Sequence, residues 1–208
     1  MTSLSTLARA ARLGSARKRG VTLIEAVLYI SIALALIVGG LVFFQQASLA
    51  QRTNSAVRNI SAIASETRGL YQASSSFAGF TETALIDAGA IPSTLISGAG
   101  LINEWGGAVT AAAATVDGAT DDGFSVLYQN VPPNACTRLV TYDGNGAGRI
   151  GAGIDEIRVR AGNATTAAAT NTATTGGLTP TEAATLCSNA GTADTANGQV
   201  DIEYRFDR

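Results

Sequence analysis

Histidine is absent from all 208 residues. That excludes Ser-His-Asp and Cys-His catalysis and any histidine-ligated metal site. Lysine is nearly absent too, Lys18 being the single one, and before Gly20 there is no acidic residue at all. The five basic residues there, Arg9, Arg12, Arg17, Lys18 and Arg19, are therefore unopposed and mark a cytoplasmic end. Beyond Gly20 the balance reverses. Nine arginines face sixteen acids, a formal side-chain charge of −7, and such a surface lacks the clustered cations that nucleic-acid binding needs. No direct nucleic-acid binding is expected. Cysteine is sparse: Cys136 and Cys187 are the only two. In an oxidising compartment such a pair reads as a disulfide, the alternative being two buried free thiols.

What the chain does have is a long apolar run. Val21 to Phe44 carries one charge, Glu25, and as a helix spans about 36 Å, enough to cross a hydrocarbon core. In a secretory signal the cleavage site follows the apolar stretch, which is then discarded. Here the only plausible junction, Gly20-Val21, precedes it, so the membrane segment would be kept and residues 1–20 removed as a basic leader.

Apolar periodicity continues past Phe44 through Leu49, Thr53, Val57, Ile60, Ala64, Thr67 and Tyr71 at spacings of three and four. No proline interrupts it. The pattern predicts one helix of about 50 residues, membrane-embedded over 21–44 and amphipathic over 45–72. Gly39-Gly40 is its weak point, each glycine costing about 1 kcal/mol relative to alanine. The pair permits either bending or melting during subunit packing, or close helix approach in lipid.

Residues 73–208 read as a mixed α and β head. Ala73 to Asn103 is irregular, a long connection. Trp105-Gly106-Gly107 opens a strand over Ala108–Thr115, a second strand covers Phe124–Gln129, and Pro132-Pro133-Asn134 starts a helix over Ala135–Tyr142. Ile154–Arg160 is a third strand. Thr179-Pro180-Thr181-Glu182 starts a helix reaching about Asn189 and carrying Cys187. Gln199–Phe206 alternates cleanly as a last strand. Ala161–Gly177, almost wholly Ala, Thr, Asn and Gly, reads as an exposed loop, a site for hydroxyl modification or partner contact, or a tolerated insertion.

Glu25 costs about 2.5 to 3.5 kcal/mol inside a bilayer, so it needs a partner or a function. Cleavage after Gly20 would create an ammonium on Val21, within reach of Glu25 in its own chain or in a neighbour lying in register. The alternative is a carboxylate snorkelling to the interface. Gly146-Ala147-Gly148-Arg149-Ile150-Gly151 matches a dinucleotide-binding pattern but lacks the flanking strand and helix. Asp117, Asp121 and Asp122, or Asp143 and Asn145, miss the spacing of a calcium loop. No metal or cofactor is expected.

Gly20-Val21-Thr22-Leu23-Ile24-Glu25 followed by an apolar helix resembles a type IV prepilin over residues 17 to about 50. The resemblance implies that a membrane peptidase cuts after Gly20 and N-methylates Val21, and that Glu25 supports filament assembly. The rest is similar to type IVb pilins, which include toxin-coregulated, bundle-forming and conjugative thin pili. A 20-residue leader, Val21 where type IVa pilins have phenylalanine, the run Asn103-Glu104-Trp105-Gly106-Gly107 and the cysteine pair carry that similarity. It implies an α+β pilin-like fold, a long helix packed on an antiparallel sheet. The implied function is that of a structural major subunit, not an enzyme, processed at the inner membrane with its assembly machinery and exported into a homo-oligomeric extracellular filament. A minor pilin, a type II secretion pseudopilin, and a monomeric membrane-anchored binding protein are the alternatives.

Overall fold

The computed structural model describes residues 22–98, 100–141, 153–162, 171–174, 179–193 and 197–208. They fall into two compact units, one ending at Gln45 and one beginning at Gln46. Helix α1 (Leu23–Leu70) runs through both. In the first unit its large apolar side chains are exposed, Leu23, Leu36 and Phe43 by 84%, 71% and 73%.

In the second unit α1 becomes amphipathic. Thr53, Ala56, Val57, Ile60, Ile63, Ala64 and Thr67 are buried at the three- and four-residue spacing of one helical face. The two buried threonines do not leave a hydroxyl unpaired, since Thr53 donates to the Leu49 carbonyl at 2.8 Å and Thr67 to that of Ile63 at 2.7 Å.

The rest of this unit is α2 (Glu82–Asp87), a short 3-10 turn (Ser93–Leu95), β1 (Ile96–Ser97), β2 (Gly100–Ile102), β3 (Ala108–Ala114), β4 (Gly123–Val131), α3 (Pro133–Thr141), β5 (Ile154–Ala161), β6 (Asn171–Thr174), α4 (Pro180–Ala193) and β7 (Val200–Phe206). The strands form one antiparallel sheet in the order β1-β2-β3-β4-β7-β5-β6. The last strand of the chain therefore sits in the middle, between β4 and β5. Its alternation explains the position: Val200, Ile202, Tyr204 and Phe206 are fully buried, while Glu203 and Arg205 lie half-buried on the other face. Phe124 of β4 stacks on Phe206 at 4.8 Å, and Phe77 and Phe80 close around Phe124.

The opposite face of β5 and β7 is held by ion pairs, Arg160 with Glu203 at 2.7 Å, and Glu156 between Arg158 at 2.7 Å and Arg205 at 3.2 Å. Burial pushes the Glu156 carboxyl up, but the two guanidinium groups outweigh it and hold it below its ordinary value.

Helix starts follow local chemistry. Thr179 and Glu182 form a reciprocal cap on α4, the Thr179 hydroxyl accepting from the Glu182 N–H and the carboxylate accepting from the Thr179 N–H. Thr81 caps α2.

Two expectations are corrected. Residues 73–103 are not an irregular connection but carry α2, the 3-10 turn, β1 and β2, and bury Phe77, Phe80, Leu85, Leu95 and Leu101. These pieces are too short for periodicity to reveal. Trp105-Gly106-Gly107 leads into β3 at Ala108 as expected, through a tight turn with Gly106 at φ +83. Within Ala161–Gly177, read as a loop, Asn171–Thr174 forms edge strand β6 on β5. An edge strand needs only one partner and no large side chain. Residues 163–170 and 175–178 lie outside the described residues.

Candidate functional site

The first candidate is the start of α1. The Thr22 hydroxyl accepts from the Glu25 N–H at 3.3 Å, so Thr22 acts as the N-cap and places Glu25 at the third helical position. The carboxylate lies near the positive end of the helix dipole. One turn on, the Tyr29 hydroxyl donates to Glu25 Oε1 at 3.4 Å, giving the carboxylate a partner in its own helix. Thr22 and Tyr29 were not singled out from sequence. The signal for Thr22 was present, a hydroxyl residue just ahead of the apolar run. Gly39 and Gly40 lie mid-helix with nothing within 4 Å of where a Cβ would stand. Gly20 and Val21 lie outside the described residues.

The second candidate is the turn leading into β3. Asn103 holds it together: its Oδ1 accepts from the N–H groups of Trp105 and Gly107, both at 2.9 Å, and its Nδ2 donates to the Gln129 carbonyl at 2.6 Å. Gly107 passes so close to Gln129 that a Cβ there would overlap the carbonyl. The turn thus presents Glu104 to α1 in one geometry. Glu104 Oε1 accepts from Asn59 Nδ2 at 2.5 Å, and its backbone carbonyl accepts from Arg52 at 3.3 Å. Beside it lies a cleft of about 300 Å³ lined by Ser55, Arg58, Asn59, Thr94, Ile102 and Glu104 among others.

Burial pushes the Glu104 carboxyl above its ordinary value, against the opposing pull of its own backbone N–H, Asn59 and Arg58. Glu104 Oε2 and the fully buried Tyr128 hydroxyl have no hydrogen-bond partner among the described residues. A carboxyl whose folded pKa exceeds its unfolded value of about 4.3 stabilises the fold when protonated. That contribution is complete below about pH 4 and is lost as pH rises through the folded value. Glu104→Gln, which mimics the protonated group, is therefore expected to raise the thermal midpoint at pH 7 and to leave it unchanged at pH 4. A shift equal at both pH values would show that ionisation is not involved.

The disulfide joins α3 to α4. Cys136 and Cys187 are bonded, their Cα atoms 5.9 Å apart and both side chains fully buried. At the far end of the unit, Arg68 in the last turn of α1 donates to the Gly153 and Asp207 carbonyls, pairs with the Asp207 carboxylate at 3.8 Å, and lies over the rings of Phe124 and Phe206. Arg208 donates to the carbonyls of Ser74 and Ser75. The C-terminus is thereby fastened to the end of the long helix. These contacts span up to 139 residues and left no sequence signal.

Of the acidic groups weighed for calcium, Asp122 spends its carboxylate on the N–H groups of Val116, Asp117 and Ala119, which hold it below its ordinary pKa. It builds a turn. Among the described residues no three of Asp, Glu, His or Cys gather as metal ligands. Asp143, Asn145 and the glycine pattern over 146–151 lie outside the described residues.

Comparison with known proteins follows this architecture. Residues 50–198 match the family model described as PilS N terminal. Two curated relatives, each a major structural subunit of bundle-forming pilus, from Escherichia coli O127:H6 and O111:H-, are 28% identical over 177 residues. The match covers 83% of this chain and 89% of each relative. The crystal structure of a type IVb pilin from Salmonella typhi covers 74% of this chain and 99% of its own, with a TM-score of 0.53 at 21% identity. That likeness is one of fold.

Proposed function

Because the chain belongs to the PilS N-terminal family and is a type IV pilin of the IVb class, we propose that it is the major structural subunit of a pilus, built around its N-terminal helix. One observation carries the reading: a helix whose apolar side chains over residues 23–44 are exposed. So much contiguous apolar surface marks a membrane or a protein interface. In this account it meets both in turn, lipid before assembly and the helices of other copies afterwards.

The basic leader, residues 1–20, holds the precursor in the inner membrane with residues 45–208 outside. A prepilin peptidase cuts after Gly20 and methylates Val21. The new ammonium then pairs with Glu25 of an adjacent copy, so that a carboxylate costly in lipid becomes a registration signal in the filament. Until then Tyr29 is its partner. Gly39-Gly40 lets the helix bend or melt as it packs. Residues 45–72 carry the head, residues 73–208, which forms the outer surface of an extracellular filament. No step of this role requires catalysis or a cofactor.

Filaments sheared from cells and resolved by electrophoresis test the assignment. This chain is expected to be the dominant protein. If it is a trace component it is a minor pilin, and if it occurs only as a monomer in the membrane fraction it is not a filament subunit.

A further inference from the structure

The second unit carries unpaired charge of opposite sign at the two ends of β3. At the start of the strand, beside the Asn103–Gly107 turn, Arg58 lines the cleft and Arg52 reaches the Glu104 carbonyl next to it, both side chains belonging to exposed residues. Among the described residues Arg58 donates to the Ser55 hydroxyl, at 3.0 Å, and Arg52 to the Glu104 carbonyl. Neither forms an ion pair among the described residues. The Glu104 carboxylate attracts Arg58 but is turned inward, Oε1 taken by Asn59 and Oε2 buried. Solvent therefore meets two guanidinium groups, a polar wall of Ser55, Asn59 and Thr94, and apolar Ile102.

At the other end of β3, the turn to β4 is an acidic projection with a fixed shape. Asp122 ties it internally, Gly118 and Asp121 adopt φ of +97 and +56, and the Asp121 carbonyl accepts from the Phe77 N–H at 2.8 Å. Asp117 is exposed and has no cation within ion-pair distance among the described residues. Asp155 and Asp207 lie close enough for Asp117 and Asp155 to help push the Asp207 carboxyl up, second to its burial and in opposition to Arg68.

β3 has seven residues, so the cleft and the acidic turn are separated by roughly 20 Å and do not meet within one chain. We propose that the cleft at Arg52 and Arg58 receives the Asp117–Asp122 turn of a second copy of this chain. In copies whose helices lie parallel and are stepped along their axis, the cleft end of one head faces the turn end of the next. Each copy offers one cleft and one turn. The contact is thus heterologous, and repetition without closure produces an open helical filament. The opposed charges fix register and exclude the like-charged arrangements, cleft to cleft and turn to turn. Glu25 aligns the helices, and this contact aligns the heads.

The proposal rests on the filament reading above, and charge reversal in the full-length chain separates the two. Arg58→Glu and Asp117→Arg are each expected to lower the yield of sheared filaments about tenfold at unchanged subunit level in the membrane. Combined, they are expected to restore it to within about twofold of wild type. Single variants with normal yield, or a double variant no better than the singles, would overturn the contact while wild-type filaments still uphold the subunit assignment. A chain carrying both Arg58→Cys and Asp117→Cys gives a second readout. Filaments treated with a bis-maleimide linker of about 10 Å, which spans the reach of an arginine–aspartate pair that a direct disulfide would not, should yield a ladder of covalent multimers, and monomers alone would count against the contact.

Discussion

Glu25→Leu is expected to leave a stable, membrane-inserted subunit that no longer enters filaments. Leucine removes an intramembrane carboxylate that costs about 2.5 to 3.5 kcal/mol, so insertion is not impaired. The helix loses nothing of its apolar surface. In the proposed assembly what disappears is the partner for the Val21 ammonium of the neighbouring copy, which would then be buried unpaired. Breaking one side of such a pair costs on the order of 3 to 5 kcal/mol, equivalent to a loss of two orders of magnitude or more at each addition. Sheared-filament protein measured against membrane-fraction protein reads this directly. Normal filament yield would remove Glu25 from the mechanism.

Cys136→Ala is expected to produce the largest change in stability. The bond closes a loop with a sequence separation of 51. On the chain-entropy model this stabilises the fold by about 4 kcal/mol. The helix is nine residues long and packs chiefly against α4, so the bridge reinforces the contact that buries Ala135, Leu139 and Val140. Removing the bridge also leaves the Cys187 thiol in a fully buried position. The denaturation midpoint of the purified full-length chain should fall markedly, and subunit abundance in cells should fall with it. An unchanged midpoint, or wild-type protein in which both thiols react with a labelling reagent, would contradict the staple.

Sequence revealed most where a single chemical pattern repeats. The stripe from Thr53 to Thr67 is the buried face of α1, because a helix that packs on a sheet must place an apolar residue there every three or four positions. It underestimated that face by leaving out Ala56 and Ile63, which flank the stripe and are equally buried. The alternation of Val200, Ile202, Tyr204 and Phe206 gave the central strand, and Thr179 with Glu182 gave the start of α4.

Features that depend on distant partners were not legible. Nothing local to Arg68 indicates two aromatic rings and a C-terminal carbonyl above it, and nothing local to Asn103 indicates the Gln129 carbonyl. Asn103 and Glu104 entered only through family resemblance, although the turn's physical role is to press Glu104 against Asn59. Strand β6 was missed because a stretch of small polar residues carries no core pattern, and an edge strand asks for none.

The account turns on a membrane helix that is kept because the cut precedes it. Intact-mass analysis of the subunit from purified surface filaments tests this most directly. The mass should correspond to a chain beginning at Val21, bearing one added methyl group and one disulfide. A chain that begins at Met1, or one cut beyond Phe44, would contradict it.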